Sequence, residues 1–472
     1  MDPALRRLAL APLLLGFTGP VPPRWLLDAL ADGLGGVVLF ASNLTGDPAA
    51  LTASLREAAE RDVVVALDEE GGDVTRLDAA TGSSSPGAAA LGWYDDTAVT
   101  RDAYRGIGQR LLAAGVTVDL APVADVNTDP RNPVIGLRSF ADDPHRAARH
   151  VAAAVEGLQG TGIAACVKHF PGHGATVDDS HHGVATVTAD RAELEAVELL
   201  PFRAAVAAGT RAVMTGHLAV PALDPLHLAT VSRRITTDLL RGELGFTGTV
   251  VTDALEMKAV ADTIGMVEGY LGALGAGADA VETGAAEHPG FIDAVVAAVA
   301  AALTGGRLTE ERLRDAGRRT ADLARPGVAQ AAAPAGPGVP VEVVGEVPAV
   351  VDPLVLECRP PDGVASGALP WSFGDQLARR VGPVEVRTVT GEEPVPLARG
   401  RTTVVVVRDP VRHPWQRDLV ERARSTGEVV VVDVGWPGPV VTGVPTIRTR
   451  GVAPGLLAAA AAVLSWEEVR GR

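Results

Sequence analysis

From residue 11 to about 325, short runs rich in Val, Leu and Ala alternate with longer Ala- and Leu-rich segments, and this alternation limits the fold more than any other feature. The runs are LLLGF (13–17), GVVLF (36–40), VVVALD (63–68), TVDLAPVAD (117–125), AACVKHF (164–170), AVMTGH (212–217), GTVVTDA (248–254) and ADAVE (278–282). A continuously apolar strand has no face to turn to water, so both of its faces must be covered. Such strands alternating with helices build a parallel sheet. Eight units within ~300 residues predict an α/β fold of the (β/α)8 TIM-barrel type, with a doubly wound open sheet as the competing arrangement.

A barrel places its chemistry at the C-terminal ends of its strands. Asp68, Asp125, His169, His217, Asp253 and Glu282 each end one of these runs. A single charged residue at a strand end is ordinary, because loops are polar. Six polar ends out of eight converging on one mouth point to a site.

Beyond residue 325 the character changes. RPGVAQAAAPAGPGVPVEVVGEVPAV is rich in Pro, Gly and Ala, has no periodic apolar face, and reads as a linker. The runs VEVRTV (384–389), TTVVVVRD (402–409) and EVVVVDVG (428–435), with helical PWQRDLVERARS between the last two, predict a small α/β domain. The expected organisation is a barrel over 1–325, a linker over 326–347 and a small α/β domain over 348–472. No GxGxxG or GxxxxGK[ST] motif follows a strand, so nucleotide binding has no local support. The net charge of −16 argues against nucleic-acid and anionic-membrane partners. Cys166 and Cys358 make neither a disulfide scaffold nor a metal motif. Reading LLLGF as a first buried strand rather than as part of a secretory signal favours a cytoplasmic location. No apolar run approaches the ~20 residues of a membrane-spanning helix.

Four of the 10 histidines, His169, His173, His181 and His182, crowd into KHFPGHGATVDDSHHG at 168–183. His169 and His173 have the spacing of metal ligands on a helix, but Pro171 and Gly172 break that helix. A proton-transfer reading fits Asp179-Ser180-His181, where a carboxylate two residues before an imidazole can fix its tautomer and raise its basicity. The plain alternative is a loop of Asx- and Ser-type turns with exposed histidines. Asp253, ending the apolar strand of VVTDALEM, presents a carboxylate at the mouth, or else caps the following helix. Arg76, after ALDEEGGDVT, and Arg138, in NPVIGLRSFADDP, accompany strand-end aspartates, a pairing that grips hydroxyls and acyl-amides or forms rim salt bridges.

Taken together, GGVVLFASN, ALDEEGG, APVADVN, NPVIGLRSF, KHFPGHG with DSHHG, MTGHLAVP and TDALEM make the chain similar to the family 3 glycoside hydrolases, in particular their β-N-acetylhexosaminidase branch. KHFPGHG followed by DSH is the specific part of that signature. The resemblance implies Asp253 as nucleophile, His181 as acid/base and Asp179 as the group orienting it. It implies sugar contacts from Asp68, Arg76, Arg138, Lys168 and His169, and strand-end His217 joins them as an expected substrate-binding residue. Three positions depart from the family pattern: Glu69 where Gln is usual, Asp73 where Arg is usual, and Glu282 where the last strand usually ends in apolar residues.

The implied activity is a retaining exo-β-N-acetylglucosaminidase acting on cell-wall muropeptides or related glycans, with no cofactor and no metal. Its partner is a small carbohydrate. The alternatives are an N-acetylglucosaminide phosphorylase, a β-glucosidase of the same family, and a sugar-binding protein without turnover. A neutral imidazole repels phosphate less than a carboxylate does, which keeps phosphorolysis within reach of the same mechanism. The presence of Asp253, Asp179 and His181 speaks against a mere binding protein.

Overall fold

The computed structural model describes all residues except 1, 177–182, 286–288, 330–337, 364, 393–394, 398–399, 440 and 466–472. Its eight-stranded sheet comprises β1 (Leu13–Gly16), β2 (Gly36–Val38), β3 (Val64–Leu67), β4 (Val118–Asp119), β5 (Ala164–Phe170), β6 (Ala212–Thr215), β7 (Thr249–Thr252) and β8 (Val281–Glu282). Neighbours pair in parallel from β1 through to β7, and β8 pairs with β1. A parallel bridge between Val251 and Ala280 joins β7 to β8 and closes the ring. The expected (β/α)8 barrel is therefore present.

Several of its helices start on the same signal. Asp2-Pro3, Asp47-Pro48 and Asp143-Pro144 open the helices Pro3–Leu10, Pro48–Ala59 and Pro144–Gln159, and each Asp side chain accepts a backbone N–H of the first turn. Pro at the first helical position gives up an N–H that has no partner there anyway.

The barrel interior is a packed plug. Leu14, Val38, Ala66, Val118, Leu120, Cys166, Met214, Val251 and Ala280 belong to one buried cluster. Side chains alternate faces along a strand, so residues two positions further along point inward as well, one layer nearer the C-terminal mouth. That layer holds Gly16, Phe40, Asp68, Lys168, Gly216, Asp253 and Glu282.

The chain divides into two compact units. One comprises Met1–Glu70, Asp96–Thr128 and Ala141–Gly336; the other comprises Gly71–Asp95, Asp129–Phe140 and Pro337–Arg472. The second unit contains a six-stranded sheet of β9 (Glu342–Val344), β10 (Leu354–Cys358), β11 (Glu385–Val389), β12 (Thr403–Val407), β13 (Val429–Asp433) and β14 (Thr446–Arg448), in the order β9-β14-β13-β12-β10-β11. All pairs are parallel except β9 with β14. Val355, Val404, Val406, Val430 and Val432 pack with the helices Phe373–Val381 and Pro454–Ser465. Leu354, Leu356, Val405 and Val431 pack with Trp415–Arg424 on the opposite face. Helices on both faces explain why these strands read as unbroken apolar runs. Strand β9 falls within the stretch whose composition suggested a linker.

Candidate active site

The mouth of the barrel is built around a buried lysine. Lys168, 2% exposed, follows Cys166 by two residues on β5 and so faces inward. Its Nζ lies 2.5 Å from Asp68 Oδ1 and 2.8 Å from Glu70 Oε1. A buried ammonium is tolerable only when carboxylates replace its lost hydration, and here two do. Glu70 was missed in the sequence. The signal was there, because Asp68 and Glu70 are two residues apart just past β3 and share a side.

Next to Lys168, His169 and the turn after it gather on Asp125. His169 Nδ1 donates to Asp125 Oδ2 at 2.7 Å, which leaves Nε2 as an acceptor in the neutral ring. The backbone N–H groups of His169 and His173 donate to Asp125 Oδ1 at 3.3 and 2.7 Å. Burial alone would push the Asp125 carboxyl up, but its contacts with His169 and His173 outweigh that and hold it below the usual range. The second histidine ring is used locally, with His173 Nδ1 2.5 Å from Thr176 Oγ1.

The PGHG turn fits only because of its glycines. Gly172 has φ +130°, and a Cβ there would lie 2.3 Å from Glu198 Oε2; a Cβ at Gly174 would lie 1.8 Å from the Val126 carbonyl. Glu198 is buried beneath the turn and its Oε2 has no hydrogen-bond partner among the described residues. Burial, and then the charge of Asp125, raise its carboxyl to about 8.

Asp253 stands just past β7. Its N–H donates to the Thr215 carbonyl at 3.0 Å, and its Oδ1 accepts from the Ala254 N–H at 2.8 Å. It is not a helix cap, since the next helix begins at Lys258 after Met257. His217, 1% exposed, donates through Nε2 to the Ala254 carbonyl at 3.0 Å, while its Nδ1 lies 2.7 Å from Thr230 Oγ1. Both ring nitrogens thus meet protein atoms, and one of them holds the residue after Asp253. Thr230 carries no motif and was not legible in the sequence.

Two further acids are buried at this level. Glu282 ends β8, and burial, followed by the charges of Asp68, Asp253 and Glu256, holds its carboxyl well above the usual range. Asp119 accepts the Glu69 N–H at 3.0 Å, and burial pushes its carboxyl up in the same way.

Arg76 and Arg138 belong to the second unit, where Arg76 donates to the Ala365 carbonyl at 3.2 and 3.1 Å and Arg138 to the Val134 carbonyl at 3.2 Å. Asp73 explains itself there: it accepts from Arg408 Nη2 at 2.8 Å and from the Val452 N–H at 3.0 Å. Asp179 and His181 lie outside the described residues.

Comparison with known proteins places the chain among glycoside hydrolases. The sequence profile described as the glycosyl hydrolase family 3 N terminal domain matches residues 27–323. The chain is 35% identical over 317 residues to the beta-hexosaminidase A of Pseudoalteromonas piscicida, an alignment covering 61% of this chain and 53% of that relative. It is 36% identical over 283 residues to the beta-hexosaminidase of Xylella fastidiosa strain M12, covering 58% and 82%. The chain thus spans about half the length of the first relative and most of the second. Among solved structures, a family 3 beta-N-acetylglucosaminidase from Paenibacillus sp. str. FPU-7 superposes with a TM-score of 0.86 at 30% identity, covering 98% of this chain and 96% of that one. M. tuberculosis LpqI superposes with a TM-score of 0.62 at 30% identity over 70% of this chain and 95% of that one.

Proposed function

Because the chain belongs to glycosyl hydrolase family 3, we propose that it is a retaining exo-β-N-acetylglucosaminidase that removes terminal β-linked N-acetylglucosamine from cell-wall muropeptides or related glycans. The observation that carries this reading is Asp253 at the inner mouth of a closed barrel, in the same inward-facing layer as Asp68 and Lys168. A retaining glycosidase needs a carboxylate on one side of the anomeric carbon and a proton donor on the other.

In this mechanism Asp253 attacks C1 and forms a glycosyl-aspartate ester. His181, oriented by Asp179, gives its proton to the departing glycosidic oxygen. The neutral imidazole then takes a proton from water, whose oxygen attacks C1 and releases Asp253. Histidine suits this exchange because its unperturbed pKa of ~6.5 lets both forms exist near neutrality. Asp68, Lys168 and His169 supply acceptors and donors for the sugar hydroxyls.

Hydrolysis of 4-nitrophenyl N-acetyl-β-glucosaminide, with and without phosphate, tests the reading. Turnover of that substrate independent of phosphate is expected. A sugar phosphate product would make the chain a phosphorylase, and turnover of the β-glucoside alone would sink the assignment. Asp253→Ala is expected to lower kcat by about 10³-fold or more with the fold retained; an unchanged rate would remove Asp253 from its role.

A further inference from the structure

Glu282 is a buried carboxyl that the mechanism above leaves unused. It is 5% exposed, and its Oε2 is buried with no hydrogen-bond partner among the described residues. Its backbone is satisfied, since its N–H donates to Thr252 Oγ1 at 3.1 Å and its carbonyl accepts the Leu255 N–H at 3.0 Å. The unmet capacity therefore belongs to the side chain. Buried polar groups normally have partners, so an exception at a site's floor marks a position that substrate completes.

The charged groups around it define its state. Asp68 faces it from the end of β3, Asp253 and Glu256 from the segment after β7, and Lys168 from β5. Loss of water, and after it the charges of Asp68, Asp253 and Glu256, outweigh Lys168 and raise the Glu282 carboxyl well above its usual range, which favours the protonated form with its O–H donor. A second negative charge beside Asp253 is avoided in the same stroke.

Position then names the partner. Strands β7 and β8 are neighbours, joined by the bridge Val251–Ala280, so Glu282 is one strand, roughly 4.8 Å, from the Asp253 position. A carboxylate attacking C1 puts its neighbours close to the atoms bonded to C1. These are the departing oxygen, which the acid/base serves, the ring oxygen, which loses electron density as the bond breaks, and C2. Of these, only the C2 substituent offers an acceptor not otherwise engaged.

We infer that Glu282 determines specificity by donating its carboxyl hydrogen to the acyl oxygen of the C2 substituent, selecting a 2-acetamido sugar over one with a 2-hydroxyl. The inference rests on Asp253 being the nucleophile of the proposed reaction.

The test compares kcat/KM for the 4-nitrophenyl β-glycosides of N-acetylglucosamine, glucose and glucosamine in the wild type, Glu282→Gln and Glu282→Leu. Loss of the donor in Glu282→Leu is expected to cut the N-acetylglucosamine-to-glucose ratio by about 10-fold or more, whereas the amide N–H of Glu282→Gln keeps it within about 3-fold. An effect on Asp253 alone would move both substrates together and leave the ratio unchanged. Glu282→Met, with a flexible side chain of similar length, replaces the Leu variant if the latter does not fold. Calorimetric binding of free N-acetylglucosamine and glucose to the same proteins reads the preference without turnover. An unchanged ratio in the apolar variants, with the wild type active on the N-acetylated substrate, would overturn this inference and leave the proposed function standing. No wild-type turnover of that substrate would overturn both. Faster turnover of the free-amine glycoside would also overturn it, because Glu282 would then be a carboxylate paired with an ammonium.

Discussion

Glu198 shows how much a single residue owes to its surroundings. In the sequence it is an ordinary acid in a helical stretch, yet it is buried under Gly172 and its carboxyl is raised to about 8. In the unfolded chain a glutamate ionises near 4.3. Below that pH both states hold the proton and the group costs nothing. Between there and about 8 the unfolded state alone ionises, so folding stability falls by at most about 1.4 kcal/mol per pH unit, and above 8 the loss is constant. Glu198→Gln removes this dependence. Its melting temperature is expected to rise relative to the wild type, by about 3 °C or more, as pH goes from 5 to 8. A gap that stays constant over that range would mean the carboxyl ionises normally in the fold. Asp433, also raised to about 8, is present in both proteins and cancels. The Lys168 site makes the complementary point. KH at a strand end was enough to single out Lys168, but its tie to Glu70 at 2.8 Å needed the folded loop.

At the scale of elements, the segment after β5 is shaped by close backbone approach rather than by hydrogen-bonding sequence motifs. The Gly174 Cα sits so near the Val126 carbonyl that Gly174→Ala forces one of two backbones to move. The turn also hangs on the His173 N–H bond to Asp125, and it leads into residues 177–182, which include Asp179 and His181. Gly174→Ala is therefore expected to lower kcat/KM by about 100-fold, as misplacement of catalytic groups does, while the cooperative unfolding transition persists. Wild-type kinetics in a folded Gly174→Ala protein would show that the turn does not position the acid/base. Other elements departed from their sequence outlines. TVDLAPVAD reads as one strand, but β4 covers only Val118–Asp119 and pairing resumes at Val123 opposite Lys168. Pro122, lacking an N–H, stands in the gap. Strands β9, β10 and β14 were not singled out, two of them having only three residues each, too few to establish a period.

The whole molecule is organised differently from its linear order. The second unit needs three chain segments, and the segment 71–95 is fastened within it by Asp73 to Arg408 and Val452 and by Arg76 to Ala365. A chain truncated after Arg325 loses all three of those partners and leaves Asp73 without its cation. It is expected to unfold at least about 5 °C lower than the full chain, since removing one partner of a buried pair costs about 3–5 kcal/mol. An unchanged melting temperature would mean that segment 71–95 holds its shape by itself. Arg408→Ala in the full chain tests the ion pair alone by the same measurement. The sequence by itself determined the barrel, because eight apolar runs covered on both faces leave a parallel sheet few other ways to close. It also determined the parity that turns Asp68, Lys168, Asp253 and Glu282 toward one mouth, because strand side chains alternate with a period of two. Only the tertiary structure decided which groups pair: Glu70 with Lys168, Asp125 with His169 and Thr230 with His217 in the barrel, and Asp73 with Arg408 within the second unit. Those partners are between 13 and 335 residues apart, and no local pattern encodes a contact whose distance is set by the closure of a sheet.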